Sequence, residues 1–134
     1  ELLESHVGSF EMAAPAYSAV KHQGKPLYKY ARQGLAVPVK PRSSKVYEWK
    51  ALSYQAPELE HRLVCSSGTY VRSLAESVGI KLGCGATVSS LRRERIAEFS
   101  VDESIGLETL KTISAAELTK LLESSLPRLQ AALR

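Results

Sequence analysis

The sequence predicts an α+β fold in which a mainly antiparallel sheet carries flanking helices. Three observations lead there. Two alternating runs, Lys45–Leu52 and Leu59–Cys65, flank the short turn Gln55–Glu58, the pattern of a hairpin. Leu74, Val78 and Leu82 recur at four-residue spacing and Gly83 follows at once, the pattern of a helix with one apolar face and a glycine cap. Strands and helices are mixed, with no βαβ repeat and no glycine-rich nucleotide loop, so the sheet is not expected to be parallel. At 134 residues the chain suits one domain with one sizeable core.

Taken in order, Glu1 to about Ser9 reads as a short helix ending at Gly8, and Met12–Pro15 as an irregular joint. Tyr17–Lys21 alternates like a strand, and His22–Lys25 turns. Pro26 suits the first turn of a helix that runs through Leu27, Tyr28, Tyr30 and Ala31 and stops at Gly34. Val37–Pro41 holds two prolines that cannot donate to a ladder, so it is an edge or a linker. In the hairpin, His61 alternates with Leu59 and Leu63 and is expected to face solvent. The central helix is predicted over Thr69–Leu82, a further strand over Thr87–Ala97, and a helix near Ser104–Thr109. Ala115–Leu126 is amphipathic through Leu118, Leu121, Leu122 and Leu126, and Pro127 should end that helix or open one more turn.

Composition narrows the function classes. Hydrophobic content of 44% and charged content of 24% fit an ordinary globular domain, and no apolar run reaches membrane-spanning length. The N-terminus lacks the basic and apolar regions of a signal peptide, and it has no initiator methionine, as though cut from a longer chain. Cys65 and Cys84 are expected as buried free thiols in a cytoplasmic protein, and without a C-x-x-C spacing they do not suggest zinc. His6, His22 and His61 are scattered, so no metal site and no cofactor are expected.

The net charge of +4 is uneven. Lys21, Lys25, Lys29, Arg32, Lys40, Arg42, Lys45 and Lys50 face a single acid, Glu48, and Arg92-Arg93-Glu94-Arg95 forms a second basic knot. Such a stripe is an electrostatic footprint for a polyanion or, alternatively, a solvated lysine-rich face. Tyrosines at 28, 30, 47 and 54 lie within or near it, as suits RNA, whose unpaired bases stack on aromatics, although packing explains them equally.

The chemistry concentrates in Ser66-Ser67-Gly68-Thr69-Tyr70-Val71-Arg72-Ser73-Leu74. A phenol and a guanidinium stand two residues apart where a strand hands over to a helix. A buried Tyr70–Arg72 pair is expected there, and its permanently charged arginine needs an anion. No nucleophile elbow, triad or carboxylate pair accompanies it.

Four ordered segments then resemble the TruB family of tRNA pseudouridine-55 synthases. Met12-Ala13-Ala14-Pro15-Ala16-Tyr17-Ser18-Ala19-Val20-Lys21 is similar to Q-x-P-P-x-Y-S-A-x-K. Gly24 to Gly34 follows G-x-x-x-Y-x-x-A-R-x-G, Cys65 to Leu74 follows C-S-x-G-T-Y-[IV]-R-x-L, and Leu82 to Arg93 follows L-G-x-G-A-x-x-x-x-L-R-R. Met12, Ala14, Ser67 and Thr87 depart from residues common at those places.

The resemblance implies half of a pseudouridine synthase fold, with residues 1–110 as the C-terminal portion of the catalytic domain and 111–134 as a helical extension packing on it. It implies a tRNA partner, no cofactor and the conversion of uridine to pseudouridine in the T-arm loop. Tyr70 takes the role of the family's assisting tyrosine, and Arg72 that of the arginine holding a nucleophilic aspartate ionised. Leu91 is expected at the floor of the site, and Tyr17 and Lys21 near the pocket or the RNA backbone. Lys25, Lys29, Arg32, Arg92 and Arg93 are expected phosphate contacts. The family's aspartate lies in a G-x-L-D-P segment upstream of all these motifs. Asp102, the chain's only aspartate, is not in such a segment, so the isolated chain is expected to be inactive. A non-catalytic RNA-binding or scaffold module and a guide-RNA-dependent relative are the alternatives. A half-sheet with open edges further suggests dimerisation or strand exchange.

Overall fold

The computed structural model describes residues 1–132. They form two compact units, Glu1–Ser89 and the residues from Ser90 onward. The first contains β1 (Gly8–Met12), β2 (Lys21–His22), β3 (Lys25–Pro26), α1 (Leu27–Ala31), β4 (Arg42–Gln55), β5 (Glu58–Cys65) and α2 (Val71–Leu82). An antiparallel sheet in the order β1-β4-β5 is its frame.

The N-terminal segment is a single 3-10 turn at Glu4–His6 rather than a helix to Gly8. Gly8 does not cap a helix. Its φ of +128° turns the chain into β1, where Phe10 and Met12 lie half-buried and Ser9 and Glu11 are exposed. The register Gly8↔Val46 to Met12↔Arg42 lays this strand along the first half of β4.

β4 is longer than its sequence pattern implies, and its face changes phase. Ser44 and Val46 are buried at even positions, but the next buried side chain is Trp49. The β4–β5 register skips Tyr47, between Val46 and Glu48, and Leu52, between Ala51 and Ser53. Each skip is a bulge that adds one residue to β4. The first lets Val46 and Trp49 share a face despite their odd separation. Beyond the second, Ser53–Gln55 and Glu58–Glu60 are exposed on both sides, so the hairpin's tip stands off the core.

The core joins Val46 and Trp49 to Leu74 and Val78 of α2, with Phe10, Met12, Leu63 and Cys65 packed around them. Of the predicted apolar face, Leu74 and Val78 are buried and Leu82, on the last turn, is exposed, while Gly83 at φ +76° ends the helix in the expected left-handed cap. The chain then folds back so tightly that a side chain at Gly79 would collide with the backbone of Gly85 and Ala86. The Gly79 carbonyl also accepts from the N–H groups of Cys84 at 3.2 Å and Gly85 at 3.0 Å. Cys84 is therefore exposed rather than buried, and Cys65 is half-buried.

His61 does not face solvent as expected. Its Nδ1 accepts from Trp49 Nε1 at 2.9 Å, and the two rings meet edge to face at 5.4 Å. Trp49 is 3% exposed, and its indole N–H would otherwise be left unpaired in the core. Burial pushes the His61 pKa below its ordinary value of 6.5.

In the second unit, β6 (Arg95–Ile96) and β7 (Phe99–Ser100) form a minimal hairpin. The strand predicted over Thr87–Ala97 shrinks to Arg95–Ile96, because Arg92-Arg93-Glu94-Arg95 offers no alternating apolar side chain to bury. Ser100 and Glu103 then close a reciprocal capping box over the 3-10 turn Val101–Glu103. α3 (Leu107–Thr112) starts later than the predicted Ser104–Thr109 helix. α4 (Ala115–Ala132) opens on another reciprocal pair, in which Ser114 Oγ accepts from the Glu117 N–H at 3.3 Å and Glu117 accepts from the Ser114 N–H at 3.0 Å.

Pro127 neither ends α4 nor opens a separate turn, since the helix runs through it. The residue after it holds the last turns in place. Arg128 forks onto Glu103 at 3.2 and 3.1 Å and also donates to the Glu98 carbonyl at 3.1 Å. Hydrogen bonds from Arg128 hold the Glu103 carboxyl below its usual range.

Candidate functional site

A strand was expected over Tyr17–Lys21, but residues 16–19 form a series of bends and only Lys21 enters a strand, and the hydrogen bonds explain why. The first N–H groups of α1 have no partner inside their own helix. Leu27 N–H donates to the Val20 carbonyl at 2.8 Å and Tyr28 N–H to the Ser18 carbonyl at 3.1 Å. The segment thus caps α1 instead of joining a sheet. The turn Gln23-Gly24, with φ of +48° and +78°, then brings Lys21 opposite Pro26.

The corner at 66–70 is fixed from the other side. Ser66 Oγ accepts from the Lys45 N–H at 2.9 Å and lies 3.2 Å from Thr69 Oγ1, while Ser66 N–H donates to the Lys45 carbonyl at 2.8 Å. Gly68 at φ +79° makes the turn, and Tyr70 becomes the N-cap residue of α2. Corner and capping segment meet at one hydrogen bond: Arg72 Nη2 donates to the Tyr17 carbonyl at 3.0 Å.

Between them lies an open cleft of about 790 Å³. Tyr70, Arg72, Tyr17 and Lys21, predicted from separate motifs, all line it, together with Ser18, Tyr28 and Arg42. The expected buried Tyr–Arg pair is corrected in one respect: Tyr70 is half-buried and Arg72 is exposed. Arg72 precedes the core residue Leu74 by two helical steps, a rotation of about 200° that points position 72 away from the core. Among the described residues no carboxylate pairs with Arg72, Lys21 or Arg42. Ser18 is 6% exposed, and its Oγ has no hydrogen-bond partner among the described residues. The wall of the cleft is therefore cationic, aromatic and without carboxylates.

Of the other predicted contacts, those in the first unit, Lys25, Lys29 and Arg32, do not line this cleft. Lys25 sits 4.7 Å over the Tyr30 ring and donates to Gln33 Oε1 at 3.2 Å, while Arg32 stacks 5.3 Å over Tyr28. Lys29 is exposed on α1. Leu91, Arg92 and Arg93 are exposed in the irregular lead-in to the second unit. Among the described residues no group of three or more metal-ligating side chains occurs, and no helix is long and apolar enough to cross a membrane.

The cleft residues that sequence reasoning left without a role are Ser18, Tyr28 and Arg42. Arg42 belongs to the basic stripe, but only its register opposite Met12 carries it to the cleft. Ser18 lay within a motif, yet nothing in the sequence marks a serine as buried and unpartnered.

The cleft is thus a cationic, tyrosine-lined surface without carboxylates at a strand-to-helix corner of an α+β unit, chemistry suited to an anion. Comparison with known proteins makes that reading specific. Residues 1–71 match the TruB family pseudouridylate synthase N-terminal domain, and residues 72–134 match the tRNA pseudouridylate synthase B C-terminal domain. The chain belongs to the TruB family of pseudouridylate synthases. It is 41% identical over 124 residues, 92% of its length, to tRNA pseudouridine synthase B of Syntrophotalea carbinolica. It is 50% identical over 101 residues, 75% of its length, to the protein of that name from Oleidesulfovibrio alaskensis. The chain spans only 40% and 33% of these two relatives. Its fold is also similar to a chain in the crystal structure of a Cbf5–Nop10–Gar1 complex, with a TM-score of 0.58 and 30% identity over 76% of this chain and 26% of that one. The α+β class read from the sequence agrees with this likeness.

Proposed function

We propose that the chain is the supporting part of a tRNA pseudouridine synthase, acting on a uridine of the T-arm loop. The observation that carries this is Arg72, fixed through the Tyr17 carbonyl in the cleft that Tyr70 also lines, and without a carboxylate partner among the described residues. In the reaction the N1–C1′ bond of the nucleotide breaks and a C5–C1′ bond forms. The C5 proton is lost, and N1 gains one, so the product is an isomer. The nucleophilic carboxylate is supplied by a G-x-L-D-P segment that this sequence does not contain. Arg72 keeps that carboxylate ionised and oriented, since a guanidinium offers it two parallel hydrogen bonds. Tyr70 packs against the flipped base or assists removal of its proton.

The test is tritium release from 5-tritiated uridine in a T-arm RNA. The chain joined to a G-x-L-D-P segment should turn over, and the 134-residue chain alone should not. Arg72→Ala in the joined protein should abolish most turnover while RNA affinity is kept. Full turnover by that variant would overturn the reading. A second reading, a non-catalytic RNA-binding module, is favoured by the same carboxylate-free cleft and predicts RNA binding without turnover even in the joined protein. We also propose that the open edges of β1 and β5 let the isolated chain dimerise by strand pairing; sedimentation showing only monomer at high concentration would dismiss this.

A further inference from the structure

We infer that Ser18, Lys21 and Arg42 form a subsite for one phosphodiester of the bound RNA, with the Ser18 hydroxyl as its neutral donor. The inference rests on the RNA-directed function proposed above and adds to it two residues, Ser18 and Arg42, that the family motifs give no role. Three observations converge on it. Lys21 from β2 and Arg42 from the start of β4 line one cleft, and neither has a carboxylate partner among the described residues. Arg72 lines the same cleft, but one of its five N–H groups is engaged by the Tyr17 carbonyl and the function proposed above assigns the others to a carboxylate.

The third observation is Ser18 itself. A buried hydroxyl without a partner is costly, and native folds rarely keep one without a use. Its backbone is not idle, because the Ser18 carbonyl accepts from Tyr28 N–H, so the residue is held in place by its main chain while its side chain stays unmatched. Ser18 lines the cleft from the bends of residues 16–19, which carry no ladder hydrogen bonds, and its Oγ is buried there. A small displacement of those bends delivers the hydroxyl to an oxygen seated between Lys21 and Arg42. An ionised phosphate oxygen is the acceptor that suits two cations and a hydroxyl donor together.

The experiment measures binding of a T-arm stem-loop RNA to the 134-residue chain by fluorescence anisotropy across a salt series, with a thermal melt of each variant. Arg42→Gln and Lys21→Gln should each weaken binding and flatten the log Kd against log salt slope, by roughly 0.7–0.9 between them, the one phosphate that they share. Ser18→Ala should leave the melting temperature unchanged or slightly raised, since it deletes an unmatched hydroxyl, and should weaken RNA binding about three- to tenfold at unchanged salt slope. A Ser18→Ala variant that melts lower and binds equally well would make the hydroxyl structural and overturn the inference. So would an Arg42→Gln variant with the parental slope. If inorganic phosphate alone raises the melting temperature as much as the RNA does, the site is one for free anions and the inference also fails. These outcomes are independent of turnover: a failed subsite with an Arg72→Ala variant dead in tritium release leaves the proposed function standing, and the reverse pattern leaves the subsite standing.

Discussion

The two ends of the sheet's central strand differ in how completely the molecule satisfies itself. Where β4 passes under α2, each demanding group has an internal partner: Trp49 Nε1 has His61, and the Gly79 carbonyl has the N–H groups of Cys84 and Gly85. Where β4 begins, at the cleft, Arg42, Lys21 and Arg72 lack carboxylates and Ser18 lacks any side-chain partner among the described residues. The first region is finished by folding. The second is finished only by something that brings acceptors to it. The contrast separates residues that hold the fold from residues that use it, and it can be broken by substitution on either side.

The largest effect is expected at Arg72. In the protein joined to its nucleophile segment, Arg72→Ala should lower turnover by about 10²–10³-fold, the scale seen when one preorganised electrostatic contact to a reacting group is removed. The melting temperature should move little, because the side chain is exposed and its one bond is to a backbone carbonyl. Arg72→Lys keeps the charge and loses the fork, so it should recover only part of the rate. A large loss of stability in Arg72→Ala would place this residue with the core and erase the contrast.

Gly79→Ala is the converse test. Here the added methyl meets the backbone of Gly85 and Ala86, which cannot rotate away as a flexible side chain can. We expect a loss of about 1–3 kcal/mol in denaturant unfolding, the range for overpacking a closed site. RNA affinity, measured under conditions where the variant remains folded, should stay close to parental. Stability equal to the parent would mean that the turn after α2 yields easily and that Gly79 is not required for the return of the chain.

These two residues also show what the sequence can and cannot disclose. The α2 helix was legible because its spacing and its glycine cap are local signals, and the 45–65 hairpin because alternation and a turn are local too. Arg72 stood out by chemistry, since a guanidinium beside a phenol at a corner asks for an anion. The misreadings fall where distant segments decide. Residues 17–21 alternate like a strand, yet the Ser18 and Val20 carbonyls are taken by the N-terminus of α1 and the Tyr17 carbonyl by Arg72. Trp49 and Val46 share a face only because a bulge at Tyr47 shifts the phase, and a bulge leaves no mark in the alternation itself. Arg42 reaches the cleft through strand register, and Pro127 is carried inside α4 past a position where its ring should stop the helix, with Arg128 anchored to the neighbouring hairpin. The composition of a segment does not show which other segment will claim its hydrogen bonds.

The smallest effect, and the finest probe of the finished region, is the pH dependence of His61. Its Nδ1 must be unprotonated to accept from Trp49, and partial burial already disfavours the imidazolium, so its folded pKa lies below the 6.5 of the free side chain. In the interval between those values the unfolded chain binds more protons than the folded one, and stability therefore rises with pH. The contribution is fully present above about 6.5 and is lost as pH falls from there through the folded value. His61→Gln supplies an acceptor that does not titrate in this range. Denaturant melts from pH 8 down to roughly pH 5, the window where histidine changes charge, should show the parent losing stability faster than the variant, with the two curves parallel at the upper end. Parallel curves throughout would mean that the Trp49–His61 bond does not depend on the imidazole being neutral. The core side of β4 would then be less completely closed than its hydrogen bonds indicate, and its distinction from the cleft would rest on packing alone.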